Sequence, residues 1–167
     1  MQLLYRKIME HLWAPWRTPY VKDNRKTEGD IFAEIARGSE DEANYVLARG
    51  KSCFALLNIF PYNTGHLMVV PYRATGALED LSDDETLELM SMLKQMKAAI
   101  TAAFQPQGFN VGINLGAAAG AGIDQHLHVH LVPRWRGDSN FMTTTAETRV
   151  HPNDLAGVYA AIKKQLG

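Results

Sequence analysis

Cysteine is almost absent from this chain. Of 167 residues only Cys53 carries a thiol, so no intramolecular disulfide can form. That thiol stands in the apolar run Cys53-Phe54-Ala55-Leu56-Leu57, which reads as a buried, inert position and not as a nucleophile. Long hydrophobic runs are missing too: Leu67 to Pro71 and Ala117 to Ala121 fall far short of the ~20 residues that span a bilayer. No basic segment followed by a continuous apolar core opens the chain, so a cytoplasmic location without a membrane partner is expected. Excess charge is also lacking. A net charge of −1 with no basic stripe argues against a nucleic-acid footprint and for a small ligand. What remains is one domain's worth of chain, 46% hydrophobic and long enough to bury a sizeable core.

Against that plain background the histidines are concentrated. Three of the six, His126, His128 and His130, fall in Gln125-His126-Leu127-His128-Val129-His130-Leu131-Val132. Alternation with Leu127, Val129 and Leu131 predicts a strand with one imidazole face and one core face. Side chains two residues apart on a strand are spaced ~6.6 Å, so neighbouring imidazoles can share one ligand or orient one another. Such a row suits an anion or a metal, and His-x-His on a strand is also a common zinc arrangement. His11 and His151 lie in polar or terminal surroundings and read as exposed bystanders.

The first forty-odd residues read as an irregular arm, with Trp13 and Trp16 flanking Pro15 as anchors. Residues 44–48 and 52–58, joined through Gly50-Lys51, predict a hairpin. Pro61-Tyr62-Asn63-Thr64-Gly65 then turns the chain into a strand from His66 to Val70, ended by Pro71. Ser82-Asp83-Asp84-Glu85 has capping-box spacing ahead of Leu87, Met90, Leu93, Ile100 and Phe104, which recur at helical intervals. Phe109 to Leu115 predicts a fourth strand, the histidine run a fifth, and residues 153–166 a second helix. Between those last two strands, Gly116 to Gly122 is a loop of small residues with Gly116, Gly120 and Gly122. A glycine-rich nest of this kind suits a phosphate, although it matches neither a Walker loop nor a dinucleotide fingerprint; its composition alone favours a flexible connection, and its place beside the three histidines reverses that.

Together these blocks resemble the histidine triad superfamily of nucleotide hydrolases and transferases, whose signature alternates three histidines with apolar residues. His126-Leu127-His128-Val129-His130-Leu131-Val132 fits at every position, and Phe54 to Asn58, Gly65 to Pro71 and Asn114-Leu115-Gly116 follow the family's order. Trp13-Ala14-Pro15-Trp16-Arg17, Pro133-Arg134-Trp135 and Gly137 to Phe141 look like the bacterial branch that includes diadenosine tetraphosphate phosphorylases.

The resemblance implies a histidine-triad-like α+β fold, with a five-stranded, mainly antiparallel sheet and two main helices. It divides the chain into an N-terminal arm, 1–43, and a nucleotide-binding catalytic domain, 44–167, within a single domain overall. It also implies that His128 is the nucleophile toward an α-phosphorus, that His130 assists the leaving group, and that His126 and His66 support them. Asn58 is placed at the ribose, Leu56 and Met68 at the base, and Asn114, Gly116, Gly120 and Gly122 at phosphate. The implied reaction is nucleotidyl transfer on dinucleoside polyphosphates, with diadenosine tetraphosphate and inorganic phosphate giving ATP and ADP. Hydrolysis of such compounds, or of AMP esters and phosphoramidates, is the alternative. A non-catalytic nucleotide sensor and a histidine-ligated zinc hydrolase are the readings from other classes. A homodimer is implied as well. No metal and no required cofactor are expected, with a divalent cation such as Mg²⁺ as an option. Many relatives carry Cys-x-x-Cys where this chain has Asp30-Ile31-Phe32-Ala33, which excludes a thiolate zinc site. No hydroxyl occurs from Leu115 to Gln125, where relatives place Ser or Thr, and Asp124 is expected to point away from the site.

Overall fold

The computed structural model describes residues 29–138 and 154–167. The Trp13–Arg17 segment, His11, His151 and residues 139–141 lie outside them. Five strands form one antiparallel sheet: β1 (Val46–Arg49), β2 (Cys53–Leu57), β3 (Leu67–Pro71), β4 (Gly108–Ile113) and β5 (Val129–Arg134). Their order across the sheet is β1-β2-β3-β5-β4. Three helices accompany it: α1 (Ile31–Arg37), α2 (Asp83–Phe104) and α3 (Leu155–Lys163). The five antiparallel strands and both main helices agree with the sequence reading.

β2 and β3 are apolar at every position because both of their faces are covered. Cys53, Ala55 and Leu57 on β2, with Leu67 and Val69 on β3, face the α2 and α3 side and pack with Met96, Ile100 and Ile162. Phe54 and Leu56, with Met68 and Val70, face the opposite way and pack with Phe32 and Ile35 of α1. The β1-β2 turn is held from α2, whose Glu88 carboxylate accepts from the Lys51 N–H (2.5 Å), the Ser52 N–H (2.7 Å) and the Ser52 hydroxyl.

α2 opens on the predicted capping box. Ser82 Oγ accepts from Glu85 N–H, and Glu85 Oε2 accepts from Ser82 N–H. Its buried face differs from the expected one, however. Leu93 and Ile100 are buried, but Leu87 is 67% and Met90 56% exposed, while Leu89, Met92, Met96 and Ala99 complete the core stripe. Apolar residues surround this helix, so two faces fit helical spacing. The face that packs contains Ala99 and Ala103, whose small side chains let the helix approach its neighbours.

Two further expectations change. The arm is not wholly irregular, because residues 31–37 form α1, with Asp30 as N-cap accepting from Ala33 N–H (3.0 Å). The histidine strand begins only at Val129, since Leu127 N–H bonds Thr75 O (2.7 Å) beyond the end of β3 and not a ladder partner. That close approach depends on Gly76, where a β-carbon would collide with the Asp124 carbonyl. Among the described residues, no helix is long and apolar enough to cross a membrane.

The corrected face of α2 is checked by stability. Met96→Ala, at a fully buried position, is expected to cost about 2–5 kcal/mol. Leu87→Ala should stay within about 0.5 kcal/mol of the parent. Urea denaturation of both variants measures the difference, and the reverse order would restore the face read from the sequence.

Candidate active site

The pocket forms where the α1 side of the sheet is left partly uncovered. Strand register sets Leu56 of β2 opposite Met68 of β3, Met68 opposite His130 of β5, and His130 opposite Gly112 of β4. This row runs from an apolar end to a reactive one. Ile31, Phe32 and Ile35 of α1 form the facing wall, and the cavity between has a volume of about 370 Å³, within the range of small-ligand sites.

α1 is fastened at both ends. At its C-terminus the Arg49 guanidinium donates to the carbonyls of Ile35 (2.9 Å), Ala36 (3.1 Å) and Gly38 (2.9 Å), satisfying groups the helix leaves open. Asp41 holds the same guanidinium, at 2.7 Å, and raises its pKa. At the N-terminus Asp30 uses Oδ1 as the cap and Oδ2 to reach His126.

Main-chain groups fix the imidazoles. His66 is 1% exposed; its Nδ1 accepts from the Tyr62 N–H at 3.0 Å, so its proton sits on Nε2. That Nε2–H points at His130 Nδ1, 2.9 Å away, which therefore accepts and leaves the His130 proton on Nε2. His128 has the opposite polarity. Its Nδ1–H donates to the His126 carbonyl at 2.9 Å, so Nε2 carries the lone pair. Burial lowers the His128 pKa from the ordinary histidine value, with the neighbouring His126 ring adding to it against the carbonyl bond, so the neutral ring prevails near pH 7. His128 and His130 stand with ring centroids 5.0 Å apart and both line the cavity. One offers a lone pair and the other an N–H donor.

His126 is fully buried and does not line the cavity. Its Nε2 meets the Pro71 carbonyl at 2.8 Å and its Nδ1 meets Asp30 Oδ2 at 2.6 Å. Both ring nitrogens are thereby engaged by protein groups, and neither is turned to the cavity. Cys53 is walled into the core, its thiol pushed up to about 12 by burial, and no group of three or more metal-ligating side chains occurs among the described residues.

Asn58, Leu56, Met68, Asn114, Gly120 and Gly122 all line the cavity. Asn58 Oδ1 accepts from Phe60 N–H (2.9 Å), which orients the side chain. Gly116 does not line the cavity. It starts a tight turn, with φ +79°, in which the N–H groups of Ala119, Gly120 and Ala121 bond carbonyls of the same loop. The nest expected over residues 116–122 is therefore partly spent on itself, because three-residue turns satisfy their own donors. Asp124 is exposed and outside the cavity lining, as the sequence reading expected. Sequence reasoning missed Asp30, α1 and the Tyr62 amide. Asp30 before Ile31, Phe32 and Ile35, with Gly38 after, is a capped helix pattern, whereas nothing in the sequence marks a backbone N–H as a tautomer switch.

A deep apolar slot ending in a lone-pair imidazole beside an imidazole donor defines a class of site that transfers a group through histidine. The HIT domain family model matches residues 39–137, and the chain belongs to that family. It is similar to an AP-4-A phosphorylase of Mycobacterium tuberculosis (strain ATCC 25618 / H37Rv), 44% identical over 158 residues covering 90% of this chain and 80% of the relative. It is also similar to the asymmetrical bis(5'-nucleosyl)-tetraphosphatase of Schizosaccharomyces pombe, 32% identical over 77% of this chain and 68% of the relative. Among solved structures, a Zn-bound histidine triad family protein from Mycobacterium smegmatis superposes with a TM-score of 0.66 at 25% identity, covering 81% of this chain and 91% of that one.

The burial of His128 gives a direct spectroscopic expectation. In an NMR pH series, the His128 ring should titrate below the ordinary value of about 6.5. A midpoint at or above that value would mean that burial does not govern the ring.

Proposed function

We propose that this protein is a nucleotidyltransferase that splits diadenosine tetraphosphate with inorganic phosphate into ATP and ADP. The observation that carries the reading is the opposed polarity of His128 and His130 on one wall of an apolar slot; the 44% identical phosphorylase supports it. The base packs against Leu56, Met68 and α1, and Asn58 takes the ribose. His128 Nε2 attacks the α-phosphorus in line, forming an N–P bond as the bond to the bridging oxygen breaks. ATP leaves, with His130 Nε2–H donating to that oxygen. The adduct ring is cationic, and the His126 carbonyl that accepts its Nδ1–H stabilises this charge. Inorganic phosphate then attacks the same phosphorus, releasing ADP and restoring neutral His128. Asn114 and Gly122, with Gly120 beside them, hold the phosphoryl oxygens.

No resident cofactor is required in this reading; Mg²⁺ enters bound to the polyphosphate. Hydrolysis, with water as second acceptor, uses the same residues and is favoured by the similarity to the tetraphosphatase. AMP esters and phosphoramidates would be cleaved in the same way. The protein acts in the cytoplasm, as a homodimer paired through β4, one of the two outer strands of the sheet, where Val111 is exposed.

Anion-exchange analysis of diadenosine tetraphosphate incubations, with and without phosphate, tests the reaction. Phosphate-dependent ATP plus ADP is expected; ATP plus AMP regardless of phosphate would make the protein a hydrolase. His128→Ala should abolish turnover while AMP binding, read by calorimetry, remains; a sensor would have no turnover to lose. For assembly, Val111→Lys should convert a dimer to a monomer in light scattering, and a monomeric parent would remove the dimer from the proposal.

A further inference from the structure

We propose that Asp30 is a positioning residue for the nucleophile, fixing through the His126 ring the backbone carbonyl that holds His128 Nδ1–H, so that Nε2 faces the pocket. The inference rests on His128 being the nucleophile of the proposed function. Asp30 itself lies before residue 39, where the family match begins, and does not line the cavity.

The geometry forms one continuous path. Asp30 Oδ2 meets His126 Nδ1 at 2.6 Å, a charge-assisted length, and the same ring is pinned from the other side by the Pro71 carbonyl at 2.8 Å. A ring held at both nitrogens cannot turn, and with no exposed surface it cannot exchange either bond for water. The His126 main chain is thereby set, and its carbonyl lies 2.9 Å from His128 Nδ1. The peptide unit that carries this carbonyl has one further anchor, the Leu127 N–H donating to the Thr75 carbonyl at 2.7 Å, and residue 126 precedes β5, so no ladder bond adds to these two. Phe32, two residues after Asp30, closes the same corner, with its ring 5.5 Å from His126 and 5.2 Å from His128 between centroids.

The carboxylate also caps α1, so substitutions must separate the two duties. Serine still caps a helix but is too short to reach His126. Asparagine keeps both contacts, with its oxygen accepting from Ala33 N–H and its amide donating to His126 Nδ1, whose ring then donates only to Pro71. Asp30→Ser is expected to slow the first transfer step in single turnover by about 10–100-fold, the usual loss when a ring-orienting partner is removed. AMP affinity should move less than about threefold, and Asp30→Asn should stay within about threefold of the parent. Long-range ¹H–¹⁵N spectra of substrate-free protein should show His128 Nε2 as the unprotonated nitrogen in the parent and in Asp30→Asn. In Asp30→Ser they should show a mixture of tautomers.

Three outcomes would overturn the proposal. Asp30→Ser could match the parent in rate and spectrum, which makes the carboxylate idle. Asp30→Asn could be as damaged as Asp30→Ser, which makes charge and not position the cause. Melting temperature and AMP affinity of Asp30→Ser could fall together with the rate, which makes the carboxylate a general support of the fold and not a positioning group. The ring spectra need no substrate. If diadenosine tetraphosphate is not turned over, the phosphorylase reading fails while the tautomers still decide the role of Asp30.

Discussion

A peptide carbonyl can only accept a hydrogen bond and a peptide N–H can only donate one, and this asymmetry orders the reactive end of the pocket. Tyr62 N–H, the Pro71 carbonyl and the His126 carbonyl each touch one ring nitrogen of a different histidine. These contacts, with the His66–His130 bond, assign one ring proton on each of the four imidazoles. His66 relays the Tyr62 constraint to His130, and His126 relays its own to His128. Side-chain hydroxyls could not do this, since they donate and accept equally well. The sheet and its turns serve this wiring. Gly65, at φ +76°, turns the chain so that His66 enters β3 beneath the Tyr62 amide, and Asn63 ties the same turn to the Pro133 carbonyl and to Asp138.

Electrostatics agree with the wiring. An imidazole that must attack phosphorus needs a bare nitrogen near neutral pH, and burial against Phe32 and the sheet disfavours its protonated form. In the proposed reaction the same ring, once bonded to phosphorus, becomes a buried cation, which is costly without a partner. In the same reaction the His126 carbonyl meets that need. Polarity that selects the nucleophile thus also serves the adduct.

Much of this was legible in the chain, for reasons that differ by element. Ser82 and Glu85 announced the start of α2 because a capping box is a local device. The hairpin and β3 were legible because apolar runs bounded by Gly50 and Pro71 leave little else to form. The side of α2 that packs was not legible, since Leu87 and Met90 fit helical spacing as well as Leu89 and Met92, and only the approach of the sheet and α3 decides between them. At the site, the histidines, Asn58 and the Asn114 loop stood out by composition. Asp30 did not, because its partner lies 96 residues away and a lone aspartate reads first as a cap. The glycine loop misled in one respect: small residues free a backbone to bend, and this loop used that freedom to bond itself.

α1 lies outside the matched family span and meets the rest of the molecule at two polar anchors, Arg49 at one end and Asp30 at the other, with Ile31 and Ile35 between them facing the cavity. The molecule is in that sense a fixed reactive floor with an exchangeable wall. Drift at positions 31 and 35 can reshape the apolar end of the cavity while the anchors stay, so the shape of what is held and the chemistry of the histidines are free to evolve on separate clocks.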